Sequence, residues 1–159
     1  MATYRATADW SLTEPGEDFL KGRYSRGHSI SFEDGPELPG TASHHVVGTK
    51  WAVAGAVDPE QMLVASLSTC HMLSFLHVAR EAGLVVSAYR DDAEGVMEKN
   101  AEGRLAVTRV TLRPAIAYEG RQPTAAERDH LHHLAHETCF IANSVKTEVV
   151  VEARDVATP

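Results

Sequence analysis

The strongest pattern in the chain is a run free of helix breakers from Gln61 to Ala82. Met62, Leu63, Val64, Leu67, Met72, Leu73, Phe75, Leu76 and Val78 fall on nearly every side of its helical wheel. The flanks agree with a helix. Asp58 suits the N-cap, Pro59 the first helical position, and Glu60 the positive end of the helix dipole. Gly83 supplies the stop. The run predicts about 24 helical residues, roughly 36 Å. A helix that is apolar all round is a buried one, and one this long in a chain this short needs a partner to cover it.

Around it the periodicity is that of strands. Thr3–Trp10 and His28–Phe32 alternate, Gly35–Gly40 is rich in turn residues, and Val46–Val53 predicts a third short strand. Val85–Met97 and Leu105–Tyr118 face each other across a turn at Asn100–Gly103, which predicts an antiparallel hairpin. Thr124 and Glu127 form a capping box that opens a second helix, expected to run to about Glu137. Val145–Ala153 closes the chain as a strand. Strands, long helix, hairpin, helix and strand make an α+β arrangement, not a doubly wound one, in one domain spanning residues 1–159.

Composition narrows the function classes. The chain has 159 residues, 43% of them hydrophobic and 23% charged, enough for a packed core and too apolar for disorder. A net charge of −7 argues against nonspecific binding to nucleic acid or to an anionic membrane. No uninterrupted apolar stretch approaches a spanning length, and Met1–Ala6 lacks the apolar core of a signal peptide, so a reducing cytoplasm is expected. The two cysteines, Cys70 and Cys139, are too few for a disulfide scaffold. They are either core fillers or chemistry, and spacing alone does not say whether they meet.

The segment from Asp58-Pro59-Glu60-Gln61 to Ser68-Thr69-Cys70 resembles the helix of the OsmC/Ohr family, the osmotically inducible and organic hydroperoxide resistance proteins. Cys139-Phe140-Ile141-Ala142-Asn143-Ser144 resembles the family's second cysteine segment, and Arg26-Gly27 its N-terminal arginine, with Arg23 as the alternative. The resemblance covers roughly residues 20–153. Phe140 departs from the usual proline, and His71 from the usual aromatic, as in a divergent subgroup. The resemblance implies an OsmC-like fold in an intertwined homodimer. It implies reduction of organic hydroperoxides by Cys70, with Cys139 as resolving thiol, and a lipoyl-type or other small dithiol as reductant. No metal, haem or nucleotide cofactor is implied.

These roles make chemical sense. Only a thiolate attacks a peroxide bond efficiently, and a cysteine inside an apolar helix is inert without help. Arg26 would lower the Cys70 pKa and stabilise the departing alkoxide, and Glu60 would hold Arg26. Ten helical residues separate Glu60 from Cys70, about 15 Å of rise, too far for one guanidinium to bridge. Either the helix breaks between them, or the supporting Glu60 comes from a second chain. Two other function classes stay open. One is a redox sensor or apolar-ligand binder of the same fold; the other is a structural zinc protein built on His132, His136 and Cys139.

Overall fold

The structure, a computed structural model, describes residues 1–154, which form two compact units, one of Met1–Met62 and one beginning at Leu63. In the first unit β1 (Ala6–Asp9), β2 (His28–Phe32) and β3 (Glu37–Gly40) form an antiparallel sheet in that order, with α1 (Gly16–Leu20) between the first two strands. The stretch expected as a turn is thus half strand. Pro39 is tolerated there because β3 ends the sheet, and its carbonyl accepts from the Val57 amide at 3.0 Å.

The third strand expected at Val46–Val53 does not form. Its first residues belong to α2 (His44–Val47), capped by the Ser43 side chain on the His45 amide and ended by Gly48 at φ 75°. Two local signals, a cap before and a left-handed glycine after, override the β preference of Val46 and Val47.

Helix α3 (Pro59–Glu81) begins as the sequence predicts. Asp58 Oδ1 accepts from the Gln61 amide at 2.8 Å, and Gln61 Oε1 returns the bond to the Asp58 amide at 3.2 Å. It ends in a Schellman motif: Gly83, at φ 71°, donates to the Arg80 carbonyl, and Leu84 donates to the Ala79 carbonyl. The expectation of burial all round needs correction. Only one stripe, Leu67, His71, Phe75, Val78 and Ala79, is buried, and Leu73 on another face is 62% exposed. By length and composition α3 could also cross a membrane, with a mean hydropathy of 1.5 over its most apolar window. Its buried stripe instead joins two cores of the second unit.

Those cores sit against β4 (Val85–Asp91), β5 (Glu94–Lys99), β6 (Leu105–Leu112), β7 (Pro114–Glu119), α4 (Ala125–Thr138) and β8 (Glu148–Val151). Phe75, Val78 and Ala79 pack with Leu84, Ile116, Leu131 and Ala135; Leu67 packs with Val110 and Leu112. The long hairpin is present in two sections, β5 on β6 and β4 on β7, both antiparallel. β8 lies parallel to β6, with Arg109 opposite Glu148. A strand that follows a helix can return in this sense, whereas a tight turn would have made it antiparallel. Two contacts hold α3 on the sheets. Ser68 donates to Asp91 Oδ2 at 2.5 Å, while Asp91 Oδ1 takes the Arg113 amide. Gly95 lets β5 come close, since a Cβ there would stand 2.6 Å from the Val64 side chain. The predicted capping box is complete: Thr124 accepts from the Glu127 amide and Glu127 accepts from the Thr124 amide.

Candidate functional site

The two cysteines meet. Cys70 lies in mid-α3, three residues after the buried Leu67, so it stands at the edge of the buried stripe and is only partly covered. Cys139 caps α4 and is buried. The segment leaving α4 turns at once into a short 3₁₀ helix, Ala142–Ser144. That turn aims two consecutive amides at the two sulfurs: Ile141 N–H at Cys70 Sγ and Ala142 N–H at Cys139 Sγ, each at 3.5 Å. Both thiols are free.

The surroundings separate their chemistry. The Cys139 thiol is pushed up to about 11, chiefly by burial, with the Ala142 amide working against the rise and the neighbouring Cys70 adding to it. Cys139 is therefore protonated at neutral pH, while the more accessible Cys70 takes the Ile141 amide. Sequence reasoning missed the two amides. Backbone donors have no residue signature, and the one available hint was the Asn143-Ser144 turn after Cys139. Phe140, in place of the usual proline, is 81% exposed and leaves its carbonyl to accept from Ser144 Oγ at 2.7 Å.

His71, next in sequence to Cys70, turns into the core. Its Nε2 lies 3.1 Å from Nδ1 of His132 on α4, with the two rings within 10° of parallel. Burial drives His71 to about 4, helped by the nearby charge of His136 and opposed by Asp91. Burial likewise takes His132 to about 4, helped by His71 and Arg128. Both imidazoles are neutral at pH 7, so His71 adds no positive charge beside Cys70. His132 engages His71 rather than joining His136 and Cys139, and no cluster of three metal-ligating side chains occurs among the described residues.

The other two candidate residues belong to the first unit. Arg26 lines an apolar cavity of about 470 Å³ with Trp10, Phe19, Tyr24, His28 and Pro59, whereas Arg23 does not line it. The Arg26 guanidinium stacks 3.5 Å from the centre of the Tyr24 ring and donates to the Tyr24 and Gly22 carbonyls. Trp10, Phe19 and Tyr24 form a mutual aromatic cluster, with ring centres 4.6 to 5.9 Å apart. Glu60 sits in the first turn of α3, and its Oε2 is buried without a hydrogen-bond partner. An unpaired buried carboxylate oxygen is expensive and calls for a cation.

Comparison with known proteins gives the family and the fold. Residues 52–154 match the family model described as OsmC-like protein. No curated protein matches the sequence. Among solved structures, an OsmC-like protein of unknown function from Vibrio cholerae is 43% identical, with a TM-score of 0.92 over 97% of this chain and 100% of that one. An organic hydroperoxide resistance protein from Elizabethkingia anophelis shares the fold at 18% identity, with a TM-score of 0.70 over 99% of this chain and 98% of its own. So does the organic hydroperoxide resistance protein OhrB of Bacillus subtilis, at 16% identity and a TM-score of 0.62, with 98% of each chain covered.

Proposed function

The chain belongs to the OsmC-like family, which includes organic hydroperoxide resistance proteins, and on that premise we propose that it is a cysteine-based organic hydroperoxide reductase of the cytoplasm. The observation that carries the reading is the pairing of Cys70 and Cys139, one accessible and amide-supported, the other buried and protonated. The Cys70 thiolate attacks the outer oxygen of the hydroperoxide. The O–O bond breaks, the alkoxide leaves and takes a proton to become the alcohol, and Cys70 becomes a sulfenic acid. Cys139 then displaces hydroxide from Cys70, which leaves as water, and a Cys70–Cys139 disulfide forms. An external dithiol returns both cysteines to thiols and is itself oxidised to a disulfide. Arg26 is the residue proposed to assist the first step; the cavity it lines in the first unit is walled by aromatic rings, an environment that suits bulky organic hydroperoxides better than hydrogen peroxide.

The test is intact mass after one equivalent of cumene hydroperoxide. The chain should lose two hydrogens, about 2 Da, with an intramolecular crosslink between Cys70 and Cys139 in peptide maps. Because Cys139 titrates near 11, disulfide closure should speed up about tenfold per pH unit from pH 6 to 9. A persistent sulfenic acid, or a crosslink only between chains, would remove Cys139 from the mechanism. Consumption of a single equivalent with excess dithiol present would point to a redox sensor.

The working unit in this reading is a C2 dimer with composite sites. α3 is unbroken from Pro59 to Glu81, so the alternative of a broken helix falls away. Two antiparallel copies of α3 crossing near their middles would bring each Glu60 toward the partner's Cys70 and cover the exposed Leu73 face. Co-refolding inactive Cys70→Ser with inactive Glu60→Ala should then restore about a quarter of wild-type activity, since half the dimers are mixed and each has one intact site. No recovery, or a monomer in sedimentation equilibrium, would end the composite-site reading.

A further inference from the structure

His132 has a second role available, away from the thiols. A cavity of about 230 Å³ lies where β7 meets α4, and its lining includes Tyr118, Arg128, His132 and Arg154 on the polar side and Ile116 and Pro123 on the apolar side. His132 is 5% exposed, and its Nε2 has no hydrogen-bond partner. The hydroxyl of Tyr118 is also buried and unpartnered. A buried polar group without a partner is destabilising, and folded proteins retain few of them. Two on one cavity wall, beside guanidinium groups, describe a place built for an acceptor. The Arg128 charge acts on both groups, favouring the neutral imidazole of His132 and opposing the rise that burial gives the Tyr118 phenol.

We propose that this cavity binds a small organic carboxylate, with the Tyr118 hydroxyl and His132 Nε2–H donating to its oxygens, Arg154 balancing its charge, and Ile116 and Pro123 taking its alkyl part. The neighbouring histidine makes this specific. If His132 Nε2 carries the proton that the ligand needs, then Nδ1 of the neutral ring has a free lone pair. His71 must then donate its Nε2–H across the 3.1 Å contact. A bound carboxylate thus fixes the tautomers of both imidazoles. Phosphate offers the same oxygens but no alkyl part for the apolar wall. The proposal needs neither thiol and stands apart from the peroxidase reading.

The experiment is an NMR titration of the full chain, with ¹⁵N-labelled histidine, against sodium butyrate at pH 6.5 and constant ionic strength. His132 is assigned from the spectrum of His132→Gln. The expected result is a saturable change at the His132 ring nitrogens, with a Kd below about 50 mM. Tyr118→Phe, which removes one oxygen, and Arg154→Ala should each weaken binding about tenfold, and Arg104→Ala, in the β5–β6 turn, should not. No saturation, equal binding in Tyr118→Phe and wild type, or phosphate binding as tightly as butyrate would overturn the proposal.

Discussion

Cys70→Ser is expected to lower peroxide turnover by at least about a thousandfold, the largest loss available from one substitution in this chain. The loss is electronic before it is geometric. A serine hydroxyl in the same place keeps the Ile141 amide 3.5 Å away but is almost never ionised at neutral pH, and oxygen does not form a stable analogue of the sulfenic acid. Cys139 cannot substitute, because burial holds its thiol near 11 and hides it from substrate. Cys139→Ser should therefore look different: one rapid turnover, then accumulation of sulfenic or overoxidised Cys70. The pair of variants is measured by consumption of cumene hydroperoxide with excess dithiol. Near-normal turnover in Cys70→Ser would move the chemistry elsewhere.

A second large effect is expected in acid. His71 and His132 are buried as neutral rings that titrate near 4, against the usual 6.5 in an unfolded chain. Between those values the unfolded state binds more protons than the folded one, so stability is lost as pH falls from about 6.5 to about 4. At 1.36 kcal/mol per pH unit, one such histidine contributes a loss of about 3 kcal/mol by pH 4. The second proton enters beside the first and is no easier to place. Urea unfolding at pH 7 and pH 4.5 should show the loss in wild type and a clearly smaller one in the double variant His71→Leu, His132→Leu. The double variant also isolates it from carboxylate titration. Identical losses in both proteins would mean that the pair is not buried neutral.

Both predictions depend on long-range contacts, and there the sequence is least legible. Elements with their own end signals could be read directly. Asp58, Pro59 and Gly83 bound α3, the Thr124–Glu127 box opens α4, and the Asn100–Gly103 turn joins β5 to β6. The family motif located Cys70 and Cys139, but their meeting depends on the turn at Ala142–Ser144, which backbone amides shape. His71 and His132 are 61 residues apart, and nothing local to either marks a partner. The misread at Val46–Val53 has the opposite cause: residue preference pointed to a strand, while Ser43 and Gly48 had already closed a helical turn. The hydrophobic pattern overstates burial around α3 because it reports which faces avoid water and does not say what covers them.

The parallel pairing of β8 with β6 has a consequence for how the thiol pair comes into being. Arg109 and Glu148, opposite each other in that ladder and joined by an ion pair at 2.8 Å, are 39 residues apart, and all of α4 intervenes. Such a closure has high contact order and forms late. During synthesis Cys70 emerges 69 residues ahead of Cys139. While β8 is still missing, the strand that holds the Cys139 loop against β6 is absent, and Cys70 is a lone cysteine on an apolar helix. In the proposed reaction, an oxidised Cys70 has no neighbouring thiol to resolve it through that interval. On that proposal, a nascent chain is more open to irreversible oxidation than a finished one.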